Sequence, residues 1–107
     1  MDYVALVQRG HAELVTPVVC IIEWWRGRMD GRDTLLRTVL VEPLPLSAAK
    51  AAGMALAKTR RRVDAKLSID AAVMAFAALL GAPVVTSDMD DLESLRPVFP
   101  GVRLLSV

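Results

Sequence analysis

Apolar positions along the chain fall into short clusters separated by Gly, Pro and charged residues, and their spacing changes from one cluster to the next. Tyr3, Val4, Leu6 and Val7, followed by Gln8-Arg9-Gly10, predict the last turns of a helix stopped by Gly10. Glu13-Leu14-Val15 predicts a short strand. Thr16 and Pro17 then supply an N-cap and a first helical position, so a helix is expected over 17–26 with Val18, Ile21, Ile22 and Trp25 on one face. Asp30-Gly31 marks a turn, 32–38 a short helix, and Val39-Leu40-Val41 a strand ended by Glu42-Pro43. Ser47 caps a helix of alanines and straight-chain residues running to Lys58. A polar, basic stretch over 59–66 precedes a second long helix, capped by Ser68 and closed at Gly81. Val84, Val85 and Thr86 form a strand after Pro83, Ser87 or Asp88 opens a short helix to Leu95, and Val102-Arg103-Leu104-Leu105 is a last strand. Strands alternating with helices at this spacing predict a single α/β domain over 1–107, a three-layer α/β/α arrangement on a mainly parallel sheet.

Composition narrows the class without naming a chemistry. The chain has 107 residues, 54% hydrophobic and 23% charged, and a net charge of +1 that excludes binding of nucleic acid through an overall positive field but permits a local basic patch. Its one cysteine, Cys20, rules out an internal disulfide and a multi-thiolate metal site, and its apolar neighbours read as those of a buried, inert thiol. The longest apolar stretch, 69–83, contains Asp70 and is too short for a membrane span, and no basic segment opens the N-terminus, so a cytoplasmic protein with no membrane partner is expected.

Two acids stand where an α/β sheet collects its chemistry, beyond the carboxyl ends of strands, and a third is notable for its apolar surroundings. Asp88 directly follows the strand at 84–86, Asp70 falls in the first turn of the helix capped by Ser68, and Glu23 is set among bulky apolar neighbours. Hard Mg²⁺ or Mn²⁺ ions prefer carboxylate oxygens, and metal-dependent phosphodiester hydrolysis gives such acids a reason to converge. Each also has a plainer role open to it. Asp70 gains about 0.3–1 kcal/mol from the helix macrodipole alone, Asp88 can cap the next helix, and Glu23 can pair with Arg26 or Arg28.

The runs Ser68-Ile69-Asp70-Ala71-Ala72-Val73 and Leu80-Gly81-Ala82-Pro83-Val84-Val85-Thr86-Ser87-Asp88-Met89-Asp90-Asp91-Leu92 resemble the C-terminal half of a PIN-domain ribonuclease of the VapC toxin type. The earlier segment, from Glu13-Leu14-Val15-Thr16-Pro17 to Glu23-Trp24-Trp25-Arg26-Gly27, is similar to that family's second strand and glutamate-bearing helix. The resemblance implies a divalent-metal-dependent endoribonuclease, the toxin of a toxin–antitoxin pair. Glu23, Asp70 and Asp88 then correspond to three of four acidic catalytic and metal positions, Asp90 to an additional acid, and Asp91 to a position often aromatic in relatives. The implied cofactor is Mg²⁺ or Mn²⁺, and the implied partners are an RNA substrate, a cognate antitoxin and a second copy of the chain. Such domains open with a central strand ending in an aspartate. Nothing before Tyr3 is long enough for it, and Asp2 precedes a predicted helix, so the expectation is a PIN-like domain incomplete at its N-terminus and short of its first ligand. The alternative is a degenerate domain without catalysis that binds an antitoxin or dimerises. A phosphoacceptor receiver domain using Asp88 is disfavoured, since no lysine follows a later strand where that chemistry wants one.

Lys58, Arg60, Arg61, Arg62 and Lys66 form the densest basic run, just ahead of Asp70, and Arg60, Arg61, Arg62 and Lys66 are the candidate contacts to RNA phosphates. A solvated loop is the other reading of the same run. Trp24 and Trp25 face different ways on a helix, so at least one is expected in the core or a partner interface, and His11 is expected at the surface.

Overall fold

A computed structural model describes residues 2–8, 11–25, 27 and 31–107. Its elements are β1 (Tyr3–Gln8), β2 (His11–Pro17), α1 (Val19–Trp24), α2 (Gly31–Leu36), β3 (Leu40–Glu42), α3 (Leu46–Lys58), α4 (Ala65–Leu80), β4 (Val84–Thr86), α5 (Met89–Glu93) and β5 (Leu104–Ser106). The helix stop at Gly10, the helix end at Arg26 and the first turn residue Asp30 lie outside the described residues, as do Arg28 and the side chain of His11.

The strands form one sheet in the order β3-β2-β1-β4-β5. β2 pairs with β3, and β4 with β5, in parallel. β1 lies between the two pairs and runs antiparallel to both neighbours, Val4 facing Val15 on one side and Val84 on the other. This corrects the helix predicted over 3–9. Tyr3, Val4, Leu6 and Val7 satisfy a helical stripe as well as a strand, and the partner strands decide, because a central strand buries its β-branched and aromatic residues on a pleated surface. β1 thus pairs with both flanking strands, and Val4 is fully buried between them.

Pro17 also departs from expectation. It ends β2 opposite Glu42 instead of opening a helix, so Thr16 is a fully buried strand residue and not an N-cap. α1 follows with no side-chain cap, and the Val18 N–H donates to the Glu42 carbonyl at 2.8 Å.

α4 is the central helix, packed against α3, α1 and α5 and against β1, β2 and β4. Ala, Leu and Met make most of it, a composition with high helix propensity. Leu67, Ala71, Val73, Met74, Ala75, Phe76 and Ala77 are all buried, and a side chain the size of Leu67 or Met74 gains about 1.5–3 kcal/mol from leaving water. The helix starts a turn earlier than the predicted Ser68 cap. Asp64 is the N-cap, its carboxylate accepting from the Leu67 N–H at 2.8 Å, while the Ser68 hydroxyl is spent on the Asp64 carbonyl at 2.9 Å. It ends as expected at Gly81, whose left-handed conformation (φ 64°) suits glycine. α3 likewise begins one residue before Ser47, with Pro45 as N-cap and no side-chain cap bond. None of the described helices is long and apolar enough to cross a membrane.

Candidate functional site: an acidic pocket closed around a lysine

The direction of β1 decides what gathers at the functional end of the sheet. Because it opposes β2 and β4, its first residues lie beside the carboxyl ends of those strands. Asp2, just before β1, is thereby brought next to Thr16 and Thr86. The Thr86 hydroxyl donates to Asp2 Oδ1 at 2.6 Å and accepts from the Asp88 N–H at 2.9 Å, so one buried threonine fixes both acids. The Thr16 hydroxyl donates to the Asp2 carbonyl at 3.4 Å. Asp2 therefore precedes a strand and not the helix predicted over 3–9.

Asp2, Cys20, Glu23, Trp24, Lys66, Ile69 and Asp88 line a pocket of about 130 Å³. Glu23 reaches it from the end of α1, the element directly after β2, and Asp88 from the turn after β4. Lys66 stands among the acids. Its ammonium lies 3.3 Å from Asp91, 3.7 Å from Asp70, 3.8 Å from Asp88 and 4.0 Å from Glu23. The three acids singled out from sequence thus converge on one point, and a cation of the chain itself sits there. Asp91 joins them because it follows Asp88 by three residues, one turn along the same helix face. That spacing was readable in the sequence. Asp90 makes no ion pair with Lys66 and lines an adjoining depression with Ser87, Asp88, Met89 and Asp91.

The acids differ in burial. The Asp70 side chain is 4% exposed, whereas those of Glu23, Asp88 and Asp91 are 40–55% exposed. Burial lifts the Asp70 carboxyl to about 6; Lys66 pulls it down, and the charges of Asp2, Glu23 and Asp91 push it up again. Burial also pulls the Lys66 ammonium down, but Asp70, Asp91 and Glu23 outweigh it and hold the group above its ordinary value. With α4 beginning at Ala65, Asp70 falls in the second turn, beyond most of the macrodipole's reach, so the dipole does not account for it. Cys20 is buried as expected. Burial raises its thiol to about 11 against a hydrogen bond from Thr16, leaving it protonated and unreactive at neutral pH.

The basic run divides. Arg60, Arg61 and Arg62 are exposed on the loop between α3 and α4, and Arg61 donates to the Ser94 hydroxyl at 2.6 Å, holding that loop against the end of α5. Lys66 leaves the loop for the acidic cluster. Trp24 borders the pocket and Trp25 is half-buried.

As donors, oxygen-only carboxylates suit a hard divalent ion. Their spacing is that of the ammonium: 3.3–4.0 Å to Nζ, against the ~2.0–2.1 Å of a Mg²⁺–oxygen contact. Among the described residues no three acid, thiol or imidazole groups stand close enough to hold a metal as they are placed. No family model matches the chain, and neither a curated protein nor a solved structure matches it.

Proposed function

We propose that this protein is a divalent-metal-dependent endoribonuclease, the toxin of a toxin–antitoxin pair, built on a PIN-like three-layer domain. One observation supports the reading: Glu23, Asp70 and Asp88, distant in sequence, surround a single cation position at the carboxyl ends of β2 and β4. Mg²⁺ or Mn²⁺ there would make the attacking water more acidic and neutralise phosphate charge. Glu23, Asp70 and Asp88 would hold the ion, and Asp2, oriented by Thr86, would serve as the fourth carboxylate. Asp90 belongs to the rim. Arg60, Arg61 and Arg62 would bind RNA phosphates from the loop that Arg61 fixes beside α5, and Trp24 offers a ring at the pocket's edge.

The test is cleavage of RNA by the purified protein with Mn²⁺, compared with Asp70→Asn and Asp88→Asn. Loss of about 100-fold or more in both variants and in chelator is the expected outcome. Cleavage that survives chelation, or an undiminished Asp70→Asn enzyme, would sink the reading.

A second reading, a module that binds an antitoxin or another copy without catalysis, is favoured by a different feature. Between α1, α3 and α4 runs an almost wholly apolar groove of about 450 Å³, bordered by Val19, Ile22, Leu44, Ala52, Leu56 and Ala72. It accords with the homodimer and antitoxin partners that the resemblance implies.

A further inference from the structure

The position of Lys66 runs against the helix that carries it. It is the second residue of α4, where the positive end of the macrodipole opposes a cation, and a lysine four residues before an acid is the weaker orientation of such a pair. Its stem and ammonium nevertheless turn into the pocket, within 4.0 Å of four carboxylates, instead of extending into water. No single one of these contacts holds it, since three of the four acids and the lysine itself are 40–55% exposed and exposed pairs contribute little. The four act together. Without a cation between them, these acids and Asp2 would repel one another around a nearly buried Asp70.

We propose that Lys66 is the internal counter-cation of this site, seated where a divalent ion binds, so that the metal enters by displacing the ammonium. This rests on the metal-dependent reading above and adds to it a residue that sets the metal's affinity. Lys66 then keeps the acids gathered while no metal is bound. If the ammonium is seated about nine-tenths of the time, the apparent dissociation constant is raised about tenfold. The role differs from the RNA contact expected from sequence, because it is exercised in the absence of RNA.

The experiment measures Mn²⁺ binding to the whole chain by electron paramagnetic resonance of the free ion, without RNA. Wild type is compared with Lys66→Met, which keeps the stem and removes the charge, with Lys66→Gln, and with Asp88→Asn. Both Lys66 variants should bind Mn²⁺ about tenfold more tightly than wild type. They should also melt at a lower temperature without metal and gain more from adding it. A Lys66 variant that is unfolded alone and folds on addition of Mn²⁺ carries the same conclusion. Equal or weaker binding in both variants, while Asp88→Asn still loses the ion, would overturn the displacement and leave the metal reading standing. Variants that stay unfolded even with excess Mn²⁺ would assign Lys66 to the fold alone. Absence of saturable binding in every folded form would remove the metal reading, and the displacement with it.

Discussion

Two concavities share the helices α1 and α4 and differ in their chemistry. The acidic pocket takes Cys20, Glu23 and Trp24 from α1, with Lys66 and Ile69 from α4; the apolar groove takes Val19 and Ile22, with Ala65, Ser68, Ile69 and Ala72. Ile22 and Glu23 are adjacent in sequence and serve opposite surfaces, since successive helical residues point about 100° apart. Ile69 forms part of both walls. Even Ser68 adds no polarity to the groove, because its hydroxyl is turned back to the Asp64 carbonyl. In the small pocket, a few charges at short range set the energetics, so one atom's change of charge counts. In the groove, about three times larger, area does the work, and single exposed side chains count little.

The strongest way to sharpen that contrast is Asp70→Asn, followed by stability against pH without metal. The Asp70 carboxyl titrates near 6 when folded against 3.8 unfolded, so the folded chain holds the proton more tightly. The associated stability is complete below 3.8 and is lost as pH rises through 6. Asparagine avoids that loss. The variant should be more stable than wild type by up to about 3 kcal/mol above pH 6, with the difference closing toward pH 4. Chemical denaturation at both pH values checks it, and a variant less stable than wild type at pH 7 would mean that Lys66 outweighs burial.

Asp2→Ala should have a middling effect. It removes the acceptor of the Thr86 hydroxyl and leaves a buried donor without its partner, at about 1–3 kcal/mol. Urea denaturation should show the loss, and Thr86→Val in the same background should recover part of it. The smallest effect is expected in the groove. Ile22→Ser, at a residue 77% exposed, should change stability by no more than about 0.5 kcal/mol and leave metal binding as it was. An altered Mn²⁺ affinity in that variant would show that α1 couples the two surfaces.

The C-terminal half was legible because its signals are local. Gly81 ends α4, Pro83 follows, and the β-branched run Val84-Val85-Thr86 can hardly be anything but a strand, so Asp88 falls into place. Asp64 and Ser68 are both good caps four residues apart, and local sequence does not choose between them. The opening strand was illegible for a deeper reason. Its pairing partners lie as far away as Val84 and Val85, and nothing local in Tyr3–Gln8 reports them. The position of Asp2, and with it one side of the pocket, depended on that pairing.

Placing the first strand at the middle of the sheet has a consequence in time. The bond from Thr86 to Asp2 closes a loop of 84 residues, and β1 cannot acquire its second neighbour before β4 has been synthesised. During translation the paired β1 and β2 would stand with one edge open, exposed to wrong partners, until β4 emerges. Long-range closure of this kind is slow because its entropy cost comes before its contacts. The acids are drawn together by a pairing that spans most of the described residues, so a nascent chain carries Asp2 and Glu23 of the pocket long before it carries the pocket.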